Sequence, residues 1–112
     1  MKILIVDDEA DIGFVLGLEL QIDGHEVTTF TTVADAINYL GSHQADAIIC
    51  DFQMPLQDGL DLFNWLEAHQ KNIPFYILTG EPLLDSEDLK KRGIKDILFK
   101  PQDLVRLSAI FR

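Results

Sequence analysis

Apolar residues follow two rhythms along this chain. Short runs rich in Ile, Leu, Val and Phe lie at Lys2 to Val6, Glu26 to Thr29, Ala47 to Cys50, Phe75 to Leu78 and Asp96 to Phe99, the length and composition of strands. Between them, apolar residues recur at spacings of three and four near residues 10 to 23, 32 to 42, 58 to 70, 85 to 92 and 102 to 111, the period of amphipathic helices. Asp23-Gly24, Gly41, Gly80 and Gly93 punctuate these runs, and Thr32, Asp58 and Asp85 suit N-caps. No internal repeat or linker breaks the alternation. Strands apolar on both faces, each followed by a helix, call for a parallel sheet joined by right-handed crossovers and covered on both sides, a doubly wound α/β sandwich. In the first helix the expected buried stripe is Ile12, Val15, Leu16 and Leu20. Gly13 and Gly17 each weaken that helix by ~1 kcal/mol relative to Ala, and Glu19 falls where the stripe prefers Leu.

Composition narrows the setting. At 112 residues and 47% hydrophobic, the chain makes one domain, residues 1 to 112, with a core of its own. Nine Lys and Arg against nineteen Asp and Glu leave a net charge of −10, which repels nucleic-acid backbones and anionic lipid, so direct binding of either is not expected. The single cysteine, Cys50, sits in the apolar run AIIC. It reads as a buried thiol in a reducing compartment, which favours the cytoplasm. Nothing approaches the ~20 apolar residues that span a bilayer, and neither export nor membrane insertion is expected.

The ends of the strands carry the chemistry, because doubly wound sheets bind ligands beyond the carboxyl ends of their strands. Strand one ends in Asp7-Asp8-Glu9, strand three in Asp51, strand four in Thr79 and strand five in Lys100-Pro101. Carboxylates gathered at one edge repel one another unless a cation joins them. Oxygen-only ligands point to Mg²⁺ or a similar hard divalent ion, with Mn²⁺ as substitute, whereas the histidines at 25, 43 and 69 have no metal-ligand spacing. Taken alone, Asp7 and Asp8 also suit the N-terminus of the first helix, and Asp51 also suits a turn before Met54-Pro55. A flavodoxin would carry a phosphate cradle after strand one, not three acids. A haloacid-dehalogenase-type phosphatase would carry a second Asp where this chain has Gln53.

The segments KILIVDDEADI, DFQMPLQDGLDLFNWL, YILTG and DILFKP together resemble the receiver domain of bacterial response regulators in two-component signalling, over essentially the whole chain. The resemblance implies a flavodoxin-like (βα)5 fold with strand order 2-1-3-4-5. It makes Asp51 the phosphoacceptor, supplied by a histidine kinase or histidine phosphotransfer protein. Asp8 becomes a direct metal ligand and Asp7 one acting largely through water, with Asp51 and the backbone carbonyl of Gln53 completing the shell around Mg²⁺. Thr79 and Lys100 neutralise the phosphoryl oxygens, and Lys100-Pro101 matches a cis peptide. Such a protein is not a conventional enzyme but phosphorylates and dephosphorylates itself, signalling by altered binding to a downstream protein. The alternatives are an interaction module that keeps the fold without phosphorylation, and a phosphohydrolase acting on other substrates.

This chain departs from the family at several positions. Ile97 stands where receivers usually carry an aromatic, and Ile110 where one subfamily carries an arginine; together they predict an apolar interface on the face made by helix four, strand five and helix five. Helix four is short. Phe14, Leu18 and Ile22, spaced every four residues beside the buried stripe of helix one, predict a docking surface for the phosphodonor. Trp65 and the phenylalanines at 30, 52, 63 and 75 are expected to pack in or against the core.

Overall fold

The computed structural model describes residues 1–81, 84–100 and 102–111. Strands and helices alternate: β1 (Lys2–Val6), α1 (Ala10–Ile22), β2 (Glu26–Phe30), α2 (Val33–Leu40), β3 (Ala47–Asp51), α3 (Gly59–Ala68), β4 (Phe75–Thr79), α4 (Ser86–Lys91) and β5 (Asp96–Phe99), then a 3₁₀ turn (Gln102–Arg106) running into α5 (Leu107–Ile110). All strand pairs are parallel, and the sheet runs β2-β1-β3-β4-β5. Helix starts follow from local chemistry: the side chains of Thr32, Asp58 and Asp85 each accept the backbone N–H three residues on, and Asp58 and Asp61 form a reciprocal capping box. Among the described residues no helix is long and apolar enough to cross a membrane.

The alternation of side chains along each strand builds two cores. On one face Leu4, Val6, Ile48, Cys50, Ile77 and Ile97 meet α2, α3 and α4 through Val33, Leu40, Leu62, Leu66 and Leu89. On the other, Ile3, Ile5, Ile49, Tyr76, Leu78 and Leu98 meet Leu16 and Leu20 of α1 and Leu107 and Phe111 beside α5. Cys50 is buried, as are Phe63 and Phe75, while Phe30, Phe52 and Trp65 pack partly buried against the first core.

Several expectations are corrected by this packing. Val15 is exposed and Gly13 and Gly17 are buried, because α1 turns its glycine flank toward β2. Glu19, on the opposite side, is exposed and displaces no core residue. Ile97 is only 3% exposed: odd positions of β5 point beneath Leu89 of α4, so this side chain fills the core and offers no surface to a partner. Ile110 is half-buried against the second core, and the continuous helix expected over 102 to 111 is a 3₁₀ turn followed by four α-helical residues.

The segment between β3 and α3 closes on itself. Gly59 donates its N–H to Phe52 O at 3.1 Å, and a Cβ at Gly59 would stand 2.9 Å from the Asp51 carbonyl oxygen, an approach only glycine allows. At the tip, Gln57 N–H reaches Pro55 O at 2.8 Å around Leu56 at φ 70°, and Leu56 is fully exposed. A γ-turn of this hand is rare and strained.

Candidate functional site

Three strands end together at the carboxyl edge of the sheet. Val6 is in register with Cys50, and Asp51 with Leu78, so Asp7 follows β1 beside Asp51, and Thr79 stands one residue beyond Asp51's partner. Oxygens of Asp7, Asp8 and Asp51 all lie within 4.8 Å of one another. Asp7 is buried and Asp51 is 6% exposed, whereas Asp8 opens to solvent. Asp7 and Asp8 are not side-chain caps of α1, whose N-cap is Glu9 with no side-chain cap bond; Asp7 instead accepts the Glu9 N–H at 2.9 Å.

Lys100, delivered by β5, places its ammonium 3.2 Å from Asp7 Oδ2 and 3.6 Å from Asp51 Oδ1. Its backbone N–H donates to Thr79 O at 2.7 Å, which ties the end of β5 to that of β4. Thr79 is buried, and its hydroxyl accepts the Glu81 N–H at 2.9 Å. Gln53 is exposed, two residues beyond Asp51. The Lys100-Pro101 peptide lies outside the described residues.

Electrostatics follow from this crowding. Burial, then the neighbouring charge of Asp7, raises the Asp51 pKa to about 6 against the pull of Lys100, and Asp8 adds to the rise through its charge and a hydrogen bond. Burial draws the Lys100 pKa down, but the carboxylates of Asp7 and Asp51 more than offset it and the net shift is upward. Burial also pushes the Cys50 thiol well up, reinforced by Asp51 and Asp7, so this neighbour of the site is no nucleophile. Three carboxylates against one ammonium leave an excess negative charge, and the donors are all oxygen, which suits a hard divalent cation.

The remaining predicted residues separate by position. Phe14, Leu18 and Ile22 are 65%, 45% and 84% exposed, and Val15, missed as a member of this surface, joins them at 59%. The face of α4, β5 and α5 is charged where an apolar contact was expected. Asp96 pairs with Lys90 at 3.3 Å and Arg106 at 3.1 Å, and Arg106 also pairs with Asp103. Only the i,i+3 spacing of Asp103 and Arg106 hinted at this in the sequence.

The family model for the response regulator receiver domain matches residues 3–112. The chain belongs to this family. Among curated relatives, this receiver is 31% identical over 109 residues to the transcriptional regulatory protein PrrA of Mycobacterium tuberculosis, covering 96% of the chain and 47% of that protein. It is 30% identical over 117 residues to the virulence transcriptional regulatory protein PhoP of Salmonella typhimurium, covering 100% of the chain and 52% of that protein. The chain thus spans about half the length of the curated relatives it matches. Among solved structures, the Francisella response regulator 1452 receiver domain superposes with a TM-score of 0.89 at 25% identity, covering 97% of this chain and 91% of that one. The Thermotoga maritima response regulator TrrA, solved with Mg²⁺ and BeF, superposes at 0.85 with 28% identity, covering 97% of this chain and 94% of that one. The expected strand order 2-1-3-4-5 is the one observed.

Proposed function

We propose that this receiver accepts a phosphoryl group on Asp51 from the phosphohistidine of a histidine kinase or phosphotransfer protein, in a Mg²⁺-dependent reaction, and later releases it to water. The observation that supports the reading is the cluster of Asp7, Asp8 and Asp51 at the ends of β1 and β3, with the Lys100 ammonium from the end of β5 beside Asp7 and Asp51. An Asp51 carboxylate oxygen attacks phosphorus, the P–N bond breaks, and the imidazole leaves with its electron pair. Because phosphoryl transfer is largely dissociative, the chain's work is alignment and charge neutralisation. Lys100, held by Asp7, faces one flank of the transferring group, and Thr79 offers its hydroxyl to another. Asp8, Asp51 and the Gln53 carbonyl would hold the metal directly and Asp7 largely through water; Mg²⁺ supplies neutralisation of the phosphoryl oxygens. No general base is needed.

Acetyl phosphate with Mg²⁺ should add one phosphoryl mass to the wild type and none to Asp51→Ala, and chelation of Mg²⁺ should abolish the addition. Equal labelling of both proteins would sink the reading. BeF, present with Mg²⁺ in the TrrA structure, gives a second, non-hydrolysable probe of the same site. The exposed Phe14, Leu18 and Ile22 are the surface on which the donor's helices dock. Phe14→Glu should therefore leave acetyl phosphate labelling intact and slow transfer from a phosphorylated histidine donor; a loss of both would mark a folding defect.

A further inference from the structure

Gly13 and Gly17 sit buried in the middle of α1, where glycine disfavours a helix relative to alanine. Close packing does not require them. A Cβ at Gly17 would meet Val27 Cγ1 at 3.5 Å, and one at Gly13 would meet Thr29 at 3.8 Å, ordinary van der Waals distances. What their missing side chains leave is a groove of about 470 Å³ between α1 and β2, walled by Phe14 and Leu18 on one side and Val27 and Thr29 on the other.

The wall formed by β2 is also an open edge. β2 ends the sheet, and in a parallel ladder alternate residues turn both backbone groups to the same neighbour. Glu26 N–H reaches Met1 O, and Phe30 O receives Asp7 N–H, so these residues face β1, while Val27 and Thr29 turn their N–H and C=O groups outward. The two residues whose side chains line the groove are therefore the two whose backbone is offered for pairing. Edge strands are usually blunted by Lys, Pro or a bulge; EVTTF has none of these.

Charge states which segment suits this edge. Residues 3–70, which with Lys2 supply β1 to β3 and α1 to α3, hold thirteen of the nineteen acids and neither Lys nor Arg, so Lys2, in register with Glu26, is the one basic residue on these elements. Asp11 of α1 lines the groove, Glu26 begins β2, and Asp23 lies in the turn between these two elements. A second copy would bring the same acids against themselves. We propose that the α1–β2 edge takes an extended, Lys- or Arg-flanked segment of a partner protein as a sixth strand, with an apolar side chain entering the Gly13–Gly17 groove. Strand addition of this kind draws affinity from main-chain bonds and specificity from alternate side chains.

The test uses a capped Lys-Val-Ser-Val-Ser-Val-Lys peptide and NMR of the receiver. Binding should slow hydrogen exchange at the Val27 and Thr29 amides by about tenfold or more and weaken several-fold between about 0.05 and 0.5 M NaCl. It should be lost with the same peptide N-methylated at alternate amides, and with Glu in place of its terminal Lys residues. Gly17→Ala should raise the midpoint of thermal unfolding, and Gly17→Leu should block the peptide while leaving acetyl phosphate labelling at its wild-type rate. Absence of binding at millimolar peptide, shifts confined to Val15 and Ile22 without amide protection, or destabilisation by Gly17→Ala would each overturn the proposal. Amide protection that grows with receiver concentration alone would assign the edge to a second copy instead.

Discussion

Burial and the neighbouring acids oppose the ionisation of Asp51. A carboxyl whose folded pKa lies above its unfolded value opposes folding once it ionises, so with values of about 6 and 3.8 Asp51 withdraws stability as pH rises between them, and the whole penalty stands above pH 6. In metal-free buffer Asp51→Asn should therefore melt higher than wild type at pH 7.5, with the gain shrinking as pH falls toward 4. Mg²⁺ should raise the wild-type midpoint more than that of the variant. A variant that melts lower than wild type at pH 7.5 would show that the Lys100 pairing outweighs burial and the neighbouring acids. The acids of this site and Lys100 were legible in the sequence because several strand ends deliver them to one edge together, although Asp7, Asp8 and Asp51 each also suit a cap or a turn when taken alone. The hydrogen bond from Glu81 to Thr79 and the shared geometry of Asp8 and Asp51 were not, since both depend on loops whose path no periodicity encodes.

At the scale of elements, existence and order were readable and orientation was not. The three-and-four spacing located α1 within a residue, yet it put Val15 inside and left the glycines unexplained. The spacing defines a stripe, while the strand beneath decides which flank of the helix comes closest, and Val27 and Thr29 draw the side without side chains. The consequence is measurable by denaturant unfolding: Leu20→Ala should cost about 3 kcal/mol, whereas Val15→Ala should stay within about 0.5 kcal/mol. β5 teaches the same lesson from the other side. Ile97→Ala should behave as a core truncation costing roughly 2 to 4 kcal/mol, a result incompatible with a surface role. The ion pairs of Asp96 with Lys90 and Arg106 make any association through that face sensitive to salt, contrary to what two isoleucines in the sequence suggest.

At the scale of the molecule, the sheet divides the charge as well as the core. The acidic strands and helices lie toward β2, and eight of the nine Lys and Arg residues come after residue 70, so the −10 total hides a polarity that composition alone could not reveal. The loop that begins at Asp51 and is clasped back by Gly59 has a further consequence, for survival in a protease-rich environment. Its tip presents an unshielded leucine in a strained turn, an exposed loop tip of the kind at which proteases preferentially nick. Brief digestion should nick the chain first after Leu56, giving two pieces that stay associated through β-sheet pairing and separate only in denaturant, as mass spectrometry of native and denatured digests would read. Mg²⁺ with BeF should lengthen the lifetime of that bond if ordering the site restrains the clasp, so the same loop that frames the chemistry would report its occupancy as a cleavage rate.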